Sequence, residues 1–518
     1  MNLLEVVLFL MLCAVALGWV ARHFRFPYTI ALIVGGGALG FVPQLPEVTF
    51  DPQALLVIVL PPILYQGALL TSWRDFKASS RSIGLLAIGL VIATTLIVGA
   101  ALKWLIPEVP WAAAFAFGAI VSPTDAVATT AILSQLNLNR RMTSVLQGES
   151  LVNDASGLVT YKFAVAAVLT GAFSLLDASL DLVFVGIGGV ALGVLMAYFF
   201  VFIHRRLGDT FIEVLLTLAV PYLVYLVAES FKVSGVLAVL AAGIVRGRYS
   251  PEIVSAEMRV IARSVWNMLV FLLNSLVFVL MGMQLSGILG RLSGYSALDL
   301  FYYGVLVSVV TIAIRFAWIY PASYLSRLLG RGRDKEPPQP EAELFIMSWC
   351  GMRGIVSLSA ALALPVTLGD SSGFPYRDLI IYLTFFVISV TLVLQGLTLA
   401  PLIRKLGVGI DWSTREEESR AKFALTRAAL AAIDDAAHKG GVASHVAERI
   451  RAEFAEKVAS GAAPGTESDH GIDPARLLRT AAIHAERREL IRIWRENQIS
   501  DDVLHRLEED LDYQESRL

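Results

Sequence analysis

Residues 148–157 read GESLVNDASG. They lie inside an apolar run from Met142 to Gly171 and place Glu149 and Asp154 five residues apart, in the middle of what reads as a membrane helix. A charge at that depth is costly, and ionisable residues inside membrane segments usually mark an ion site, a relay or a pathway. On a helix, Ser150 and Asp154 are four apart and share one face, while Glu149 and Asn153 share the adjacent one. The result is an oxygen-rich stripe, and hard cations such as sodium and potassium take oxygen ligands. Burial disfavours the charged form of a carboxylate, and a nearby cation favours it. One carboxylate can therefore hold a proton or a metal ion but hardly both, which is a minimal exchange device. The alternative for Asp154 is a carboxyl satisfied by neighbouring Ser and Asn, with no ion to carry.

The rest of the chain supports a membrane setting. Its 518 residues are 56% hydrophobic and 17% charged, with a mean hydropathy of +0.66, whereas soluble proteins are about 25% charged. The net charge of −2 leaves no basic footprint for nucleic acid. Residues 411–518 hold 16 Lys and Arg against 22 Asp and Glu, while residues 1–410 hold 26 against 22. An acidic, polar tail (411–518) thus follows a long apolar body (1–410). Cys13 and Cys350 both sit in apolar runs and offer neither a disulfide framework nor metal-ligand spacing. The start, MNLLEVVLFL, lacks a basic n-region and reads as a retained first helix.

A bilayer helix needs roughly 17–25 mostly apolar residues. Thirteen candidates run at about 3–21, 27–42, 51–70, 82–106, 111–134, 142–170, 179–203, 211–230, 234–246, 261–288, 297–328, 342–367 and 376–405, the second and ninth being short. Cytoplasmic loops are enriched in Lys and Arg. The odd loops carry Arg22 and Arg25; Arg74, Lys77 and Arg81; Arg140 and Arg141; Arg205 and Arg206; Arg246, Arg248, Arg259 and Arg263; and Arg327, Arg331, Arg333 and Lys335. The even loops are poor in basic residues. This alternation places the N-terminus outside and the C-terminus in the cytoplasm. The fold class is an all-α polytopic membrane protein.

Two helices carry breakers at mid-depth: the fifth, AIVSPTDAVATT, around Pro123, and the twelfth, SWCGMRGIVSLS, around Gly351 and Gly354. If helices 1–6 and 8–13 are two repeats joined by helix 7, the breaks fall at matching places in halves of opposite topology. Interrupted helices so placed point to a transporter's binding site. Carbonyls freed by Pro123 are tolerated only where they line a cavity or are buried in protein. There Thr124 can ligate a cation, and Asp125 can ligate it or cap a half-helix; both roles stand. Arg353 in the second break is the candidate partner of Glu149, a pair more structural than ion-carrying. Lys162 has Glu213 as a candidate partner, and Arg315 and Glu229 read as structural. The glycine runs IVGGGALG and GIGGVALG fit close helix packing. In the tail, amphipathic segments at 415–438, 442–460, 473–497 and 500–516 suggest a small helical domain or loosely packed helices. Five of the seven histidines lie there, and they read as solvated surface.

The stretches SPTDAVA, GESLVNDASG, GVLAVLAAGIVRG and GMRGIVSLSAALALP resemble the signatures of the monovalent cation:proton antiporters of the sodium/proton exchanger type. The resemblance covers 3–405 and extends weakly to the end of the chain. It implies a thirteen-helix homodimer in the cell membrane, with crossed broken helices and a core that moves against a dimer-forming scaffold in an elevator-like step. It also implies exchange of Na+, or K+ or Li+, for H+, with no cofactor and no enzymatic reaction. Carried over by residue, Asp154 is the ion and proton carrier, Ser150 and Thr124 assist the cation, Asp125 supports the crossing, and Glu149 pairs with Arg353. Asn153 stands where electrogenic relatives have a second aspartate, which associates this chain with electroneutral one-for-one exchange. One departure stands out: in LPPILYQGA, Gln66 occupies a place where many members carry an acid.

Two rivals belong to other classes. An intramembrane aspartyl protease would use Asp125 and Asp154 as its acid–base pair, but the Gly-x-Gly-Asp motif of such enzymes is missing. A cation channel would pass ions without regard to a proton gradient.

Overall fold

The apolar runs fold as helices in the computed structural model, which describes residues 3–23, 28–42, 52–125, 140–170, 175–329, 339–367, 373–408, 412–438, 444–460 and 474–515. The first helices are α1 (Leu3–His23), α2 (Tyr28–Gly40) and α3 (Pro52–Leu69). The short α4 (Trp73–Ala78) and α5 (Ser80–Gly84) lead through a π-helical stretch, Leu85–Leu90, into α6 (Val91–Leu105) and then α7 (Trp111–Val121). Long helices follow: α8 (Arg140–Thr170), α9 (Leu175–His204), α10 (Thr210–Ser230), α11 (Gly235–Ile253), α12 (Ala256–Arg291) and α13 (Ala297–Leu329). Next come α14 (Glu341–Trp349), α15 (Ile355–Leu362), α16 (Arg377–Val390), a second π-helical stretch at Thr391–Gln395, and α17 (Gly396–Leu406). The tail folds as α18 (Trp412–His438), α19 (Ser444–Ser460), α20 (Pro474–Arg495) and α21 (Asp501–Glu515).

Among the described residues, six helical stretches are long and apolar enough to cross a membrane. Many of their large apolar side chains face outward, Trp104 at 74%, Phe184 at 72% and Leu195 at 67% exposure among them. Outward-facing Trp, Phe and Leu on long apolar helices suit a hydrocarbon solvent, in which helices satisfy every backbone group internally. The chain is a multi-pass membrane protein. Helix α8, 31 residues long, carries Glu149, Asp154 and Lys162 in its middle.

The twelfth predicted helix is broken: α14 ends at Trp349, residues 350–354 are non-helical, and α15 begins at Ile355. The fifth stops at Val121, and residues 122–125 leave the helix at Pro123. Its expected continuation over 126–134 lies outside the described residues, as do Arg25, Arg331, Arg333 and Lys335.

The first π-helical stretch meets polar side chains from other helices, because its widened turn leaves backbone groups to be satisfied from outside. Trp318 Nε1 on α13 donates to the Leu85 carbonyl (3.0 Å), and Ser156 Oγ on α8 donates to the Ala87 carbonyl. The glycine runs do pack closely. A Cβ at Gly36 would lie 2.8 Å from the Val279 carbonyl oxygen, and one at Gly189 would lie 2.6 Å from that of Ser234. Such contacts let helix backbones approach where lipid gives no hydrophobic drive.

The chain divides into two compact units. The first comprises residues 1–200, 217–247 and 266–410. The second joins the tail, 411–518, to residues 201–216 and 248–265. Within the second unit, Leu425, Ile483, Leu490, Ile493, Val503 and Leu507 share one apolar cluster, and Ile433, Ile450, Phe454 and Leu478 another. Helix α21 also binds the start of α12. Asp512 takes Arg259 Nε and Nη2 at 2.8 and 2.7 Å and Arg487 Nη2 at 2.9 Å, while Glu509 pairs with Arg263.

Candidate ion site

Helix α8 brings the site together. Its first polar face, Ser150 and Asp154, lines a cavity of ≈ 370 Å³ in the first unit. Across from it stand Pro123, Thr124 and Asp125 from the break after α7, and Gly354, Ile355 and Ser357 from the start of α15. Ser150 and Thr124 are buried, whereas Asp154 and Asp125 keep part of their surface accessible.

The polar groups hold one another in place. Ser150 Oγ donates to the Thr124 carbonyl, and Asn153 Nδ2 donates to Thr124 Oγ1 at 2.8 Å. A carbonyl has two lone pairs, and a hydroxyl that donates its one proton keeps its own. The Thr124 carbonyl and Ser150 Oγ can thus remain bonded to each other and still face a cation. The non-helical segment after α7 meets the break between α14 and α15 through a backbone bond, Asp125 N–H to the Met352 carbonyl at 2.7 Å. The Asp125 carboxylate lies against Gly354, where a Cβ would collide with it. Gly354 immediately precedes α15, so this negative charge faces the positive end of that helix's dipole.

One pairing expected from the sequence is corrected. Glu149 binds Arg315 on α13, not Arg353. Arg315 Nη1 donates to Glu149 Oε1 and Nη2 to Oε2 (2.9 Å), while Nε donates to the Met347 carbonyl (3.1 Å). The two side chains are 0% and 1% exposed. A guanidinium fork matches both carboxylate oxygens at once. Gly351 gives Arg315 its passage, since a Cβ there would lie 2.7 Å from Arg315 Cδ. Arg353 is 1% exposed and ties the break to the second π-helical stretch through its backbone N–H, which donates to Thr391 Oγ1 at 3.1 Å. Its Nε and Nη1 have no hydrogen-bond partner among the described residues. Lys162 pairs with Glu229 (2.7 Å) rather than Glu213, which meets His204 (3.3 Å).

Gln66 lines the cavity, and its Nε2 donates to Asn267 Oδ1 at 3.2 Å. The sequence reading did not single out Tyr28, Asn267 or Asn274, which also line it. The available signal was two asparagines seven residues apart in the apolar run WNMLVFLLNSLVF, on one helix face.

The transmembrane sodium/hydrogen exchanger family matches residues 7–405. A sodium, potassium, lithium and rubidium/H+ antiporter of Bacillus pumilus is 33% identical over 389 residues, 73% of this chain. The matched region spans only 58% of that relative's length. An uncharacterised Na+/H+ exchanger of Mycobacterium tuberculosis is 33% identical over 526 residues, covering 99% of this chain and 96% of its own. The structure of the sodium proton antiporter MjNhaP1 from Methanocaldococcus jannaschii superposes with a TM-score of 0.64 at 20% identity, over 78% of this chain and 99% of that one. With most of its membrane part matched and full-length relatives at this identity, the chain belongs to the sodium/hydrogen exchanger family of transmembrane proteins.

Proposed function

We propose that this protein is a secondary active transporter that exchanges a monovalent cation, Na+ with K+ or Li+ as alternatives, for H+, and that Asp154 carries each in turn. The observation that carries this reading is a partly accessible carboxylate facing the broken-helix oxygens of Thr124 and the hydroxyl of Ser150 across one cavity. A proton or a cation neutralises Asp154. The empty, charged carboxylate crosses poorly, because a bare charge in a low-dielectric interior is strongly disfavoured. Movement of the loaded core alone couples the two ions. With Asn153 engaged on Thr124, a single carboxylate alternates its load, which fits electroneutral one-for-one exchange.

The architecture we infer is thirteen crossings in two inverted six-helix repeats, with a core moving elevator-fashion within a homodimer in the cell membrane. The membrane domain is 1–410 and the cytoplasmic domain 411–518. The second unit supports the cytoplasmic placement, because it gathers 201–216, 248–265 and the tail into one compact unit. In the thirteen-helix reading, two and then four crossings separate these segments, so they must share a face, and their arginines make it the cytoplasmic one.

The test is proton flux in voltage-clamped proteoliposomes driven by Na+, K+ or Li+. Wild type should exchange without net current. Asp154→Asn should lose exchange while remaining folded. Normal sodium-driven flux from that variant would refute Asp154 as the carrier.

A further inference from the structure

The wall contributed by α12 and α15 carries oxygens that the fold itself does not use. Asn267, Val270, Phe271 and Asn274 recur at three- and four-residue steps along α12, so one face of that helix is turned to the cavity. Asn267 is engaged by Gln66. Asn274, 1% exposed, shares a side-chain hydrogen bond with Tyr28, but its Oδ1 has no hydrogen-bond partner among the described residues. Ser357, one turn into α15, is also 1% exposed with Oγ unpartnered. Both residues line the cavity that holds Asp154. A buried amide or hydroxyl oxygen without a partner is costly and calls for an explanation.

We propose that Asn274 Oδ1 and Ser357 Oγ form a neutral half of the cation's coordination shell, opposite Asp154, and that they set which monovalent cation is taken. This rests on the reading of Asp154 as carrier. A cation bound to one carboxylate has its charge balanced, and further ligands must supply oxygens without adding charge. An amide and a hydroxyl do that, whereas a second acid would leave the loaded site negative and hinder its passage. Gln66, neutral as well, keeps the same balance. Neutral oxygens distinguish cations by size and ligand number rather than by charge, so their loss changes selectivity more than turnover.

The experiment uses full-length protein in proteoliposomes, with half-saturating Na+, K+ and Li+ concentrations measured for wild type, Asn274→Ala and Ser357→Ala. Each variant is expected to raise the half-saturating concentration about fivefold to tenfold, the scale of one lost oxygen contact. The factors should be unequal for the three cations, so that the Na+:K+ ratio shifts at least about threefold, and Asn274→Asp should restore affinity at the cost of slower turnover. Unequal shifts support the proposal. Equal shifts for all three cations, or unchanged constants in an active variant, overturn it. If Asn274→Ala does not fold, Ser357→Ala decides alone. Asp154→Asn in the same vesicles separates the two readings: if it exchanges normally, the carrier assignment fails, whatever Asn274→Ala does.

Discussion

A carboxylate in a membrane helix survives only with a partner or a task; α8 holds one with a partner and one, Asp154, for which we propose a task. Glu149 has the partner, Arg315, at 0% and 1% exposure. Removing one end of a buried pair leaves the other charge uncompensated, at roughly 3–5 kcal/mol. Arg315→Met should therefore sharply lower thermal stability in detergent, and Glu149→Leu combined with Arg315→Met should recover much of it. Arg353→Met should cost less than Arg315→Met. The reverse order would restore the pairing that the sequence suggested. The candidate residues were legible because Glu149, Asp154, Asp125 and Arg353 stand out against apolar neighbours. Their pairing was not, because Arg315 lies 166 positions from Glu149 and only packing brings α13 to α8. Asn274 escaped notice because an asparagine carries no charge to betray it.

At the scale of elements, the end of α7 was readable from Pro123, and the break between α14 and α15 from Gly351 and Gly354. The two π-helical stretches were not, since LLAIGL and TLVLQ contain no breaker; the first forms where side chains from other helices satisfy its backbone, and the second where its Thr391 hydroxyl takes the Arg353 N–H. In the tail, period and polarity foretold four helices, and α21 adds a packing detail. Glu508 is 2% exposed, with Arg259 Nη1 at 3.9 Å. Burial raises its carboxyl above the ordinary value of 4.5, while Arg259, His505 and Arg487 pull it down and Asp512 pushes it up. An acid whose folded value is raised adds stability below its unfolded value and loses it as pH rises through the raised one. Hydrogen exchange of α21 amides should therefore quicken as pH climbs above about 4.5, and Glu508→Gln should flatten that rise and slow exchange at neutral pH. An unchanged pH profile in the variant would show that Glu508 ionises at no cost to the packing.

For the molecule as a whole, the decisive regularity was the alternation of basic and non-basic loops, which a wrong helix count would break. The second unit bears on it independently, because it joins the loops around 205 and 255 to the tail. An impermeant maleimide should thus label Gly208→Cys and Phe423→Cys from the cytoplasmic face only, and Gly294→Cys from the opposite face, in a background with Cys13 and Cys350 replaced. Labelling of positions 208 and 423 from opposite faces would contradict the topology. In the proposed mechanism, exchange depends on Asp154 accepting H+ or a cation, never both. The direct measurement is the half-saturating Na+ concentration of wild-type proteoliposomes at successively lower pH. Competition at one carboxylate predicts that it climbs toward about tenfold per pH unit on the acid side, with the maximal rate recovered by more Na+. A half-saturating concentration that stays constant while the maximal rate falls would mean that protons and cations bind at different groups.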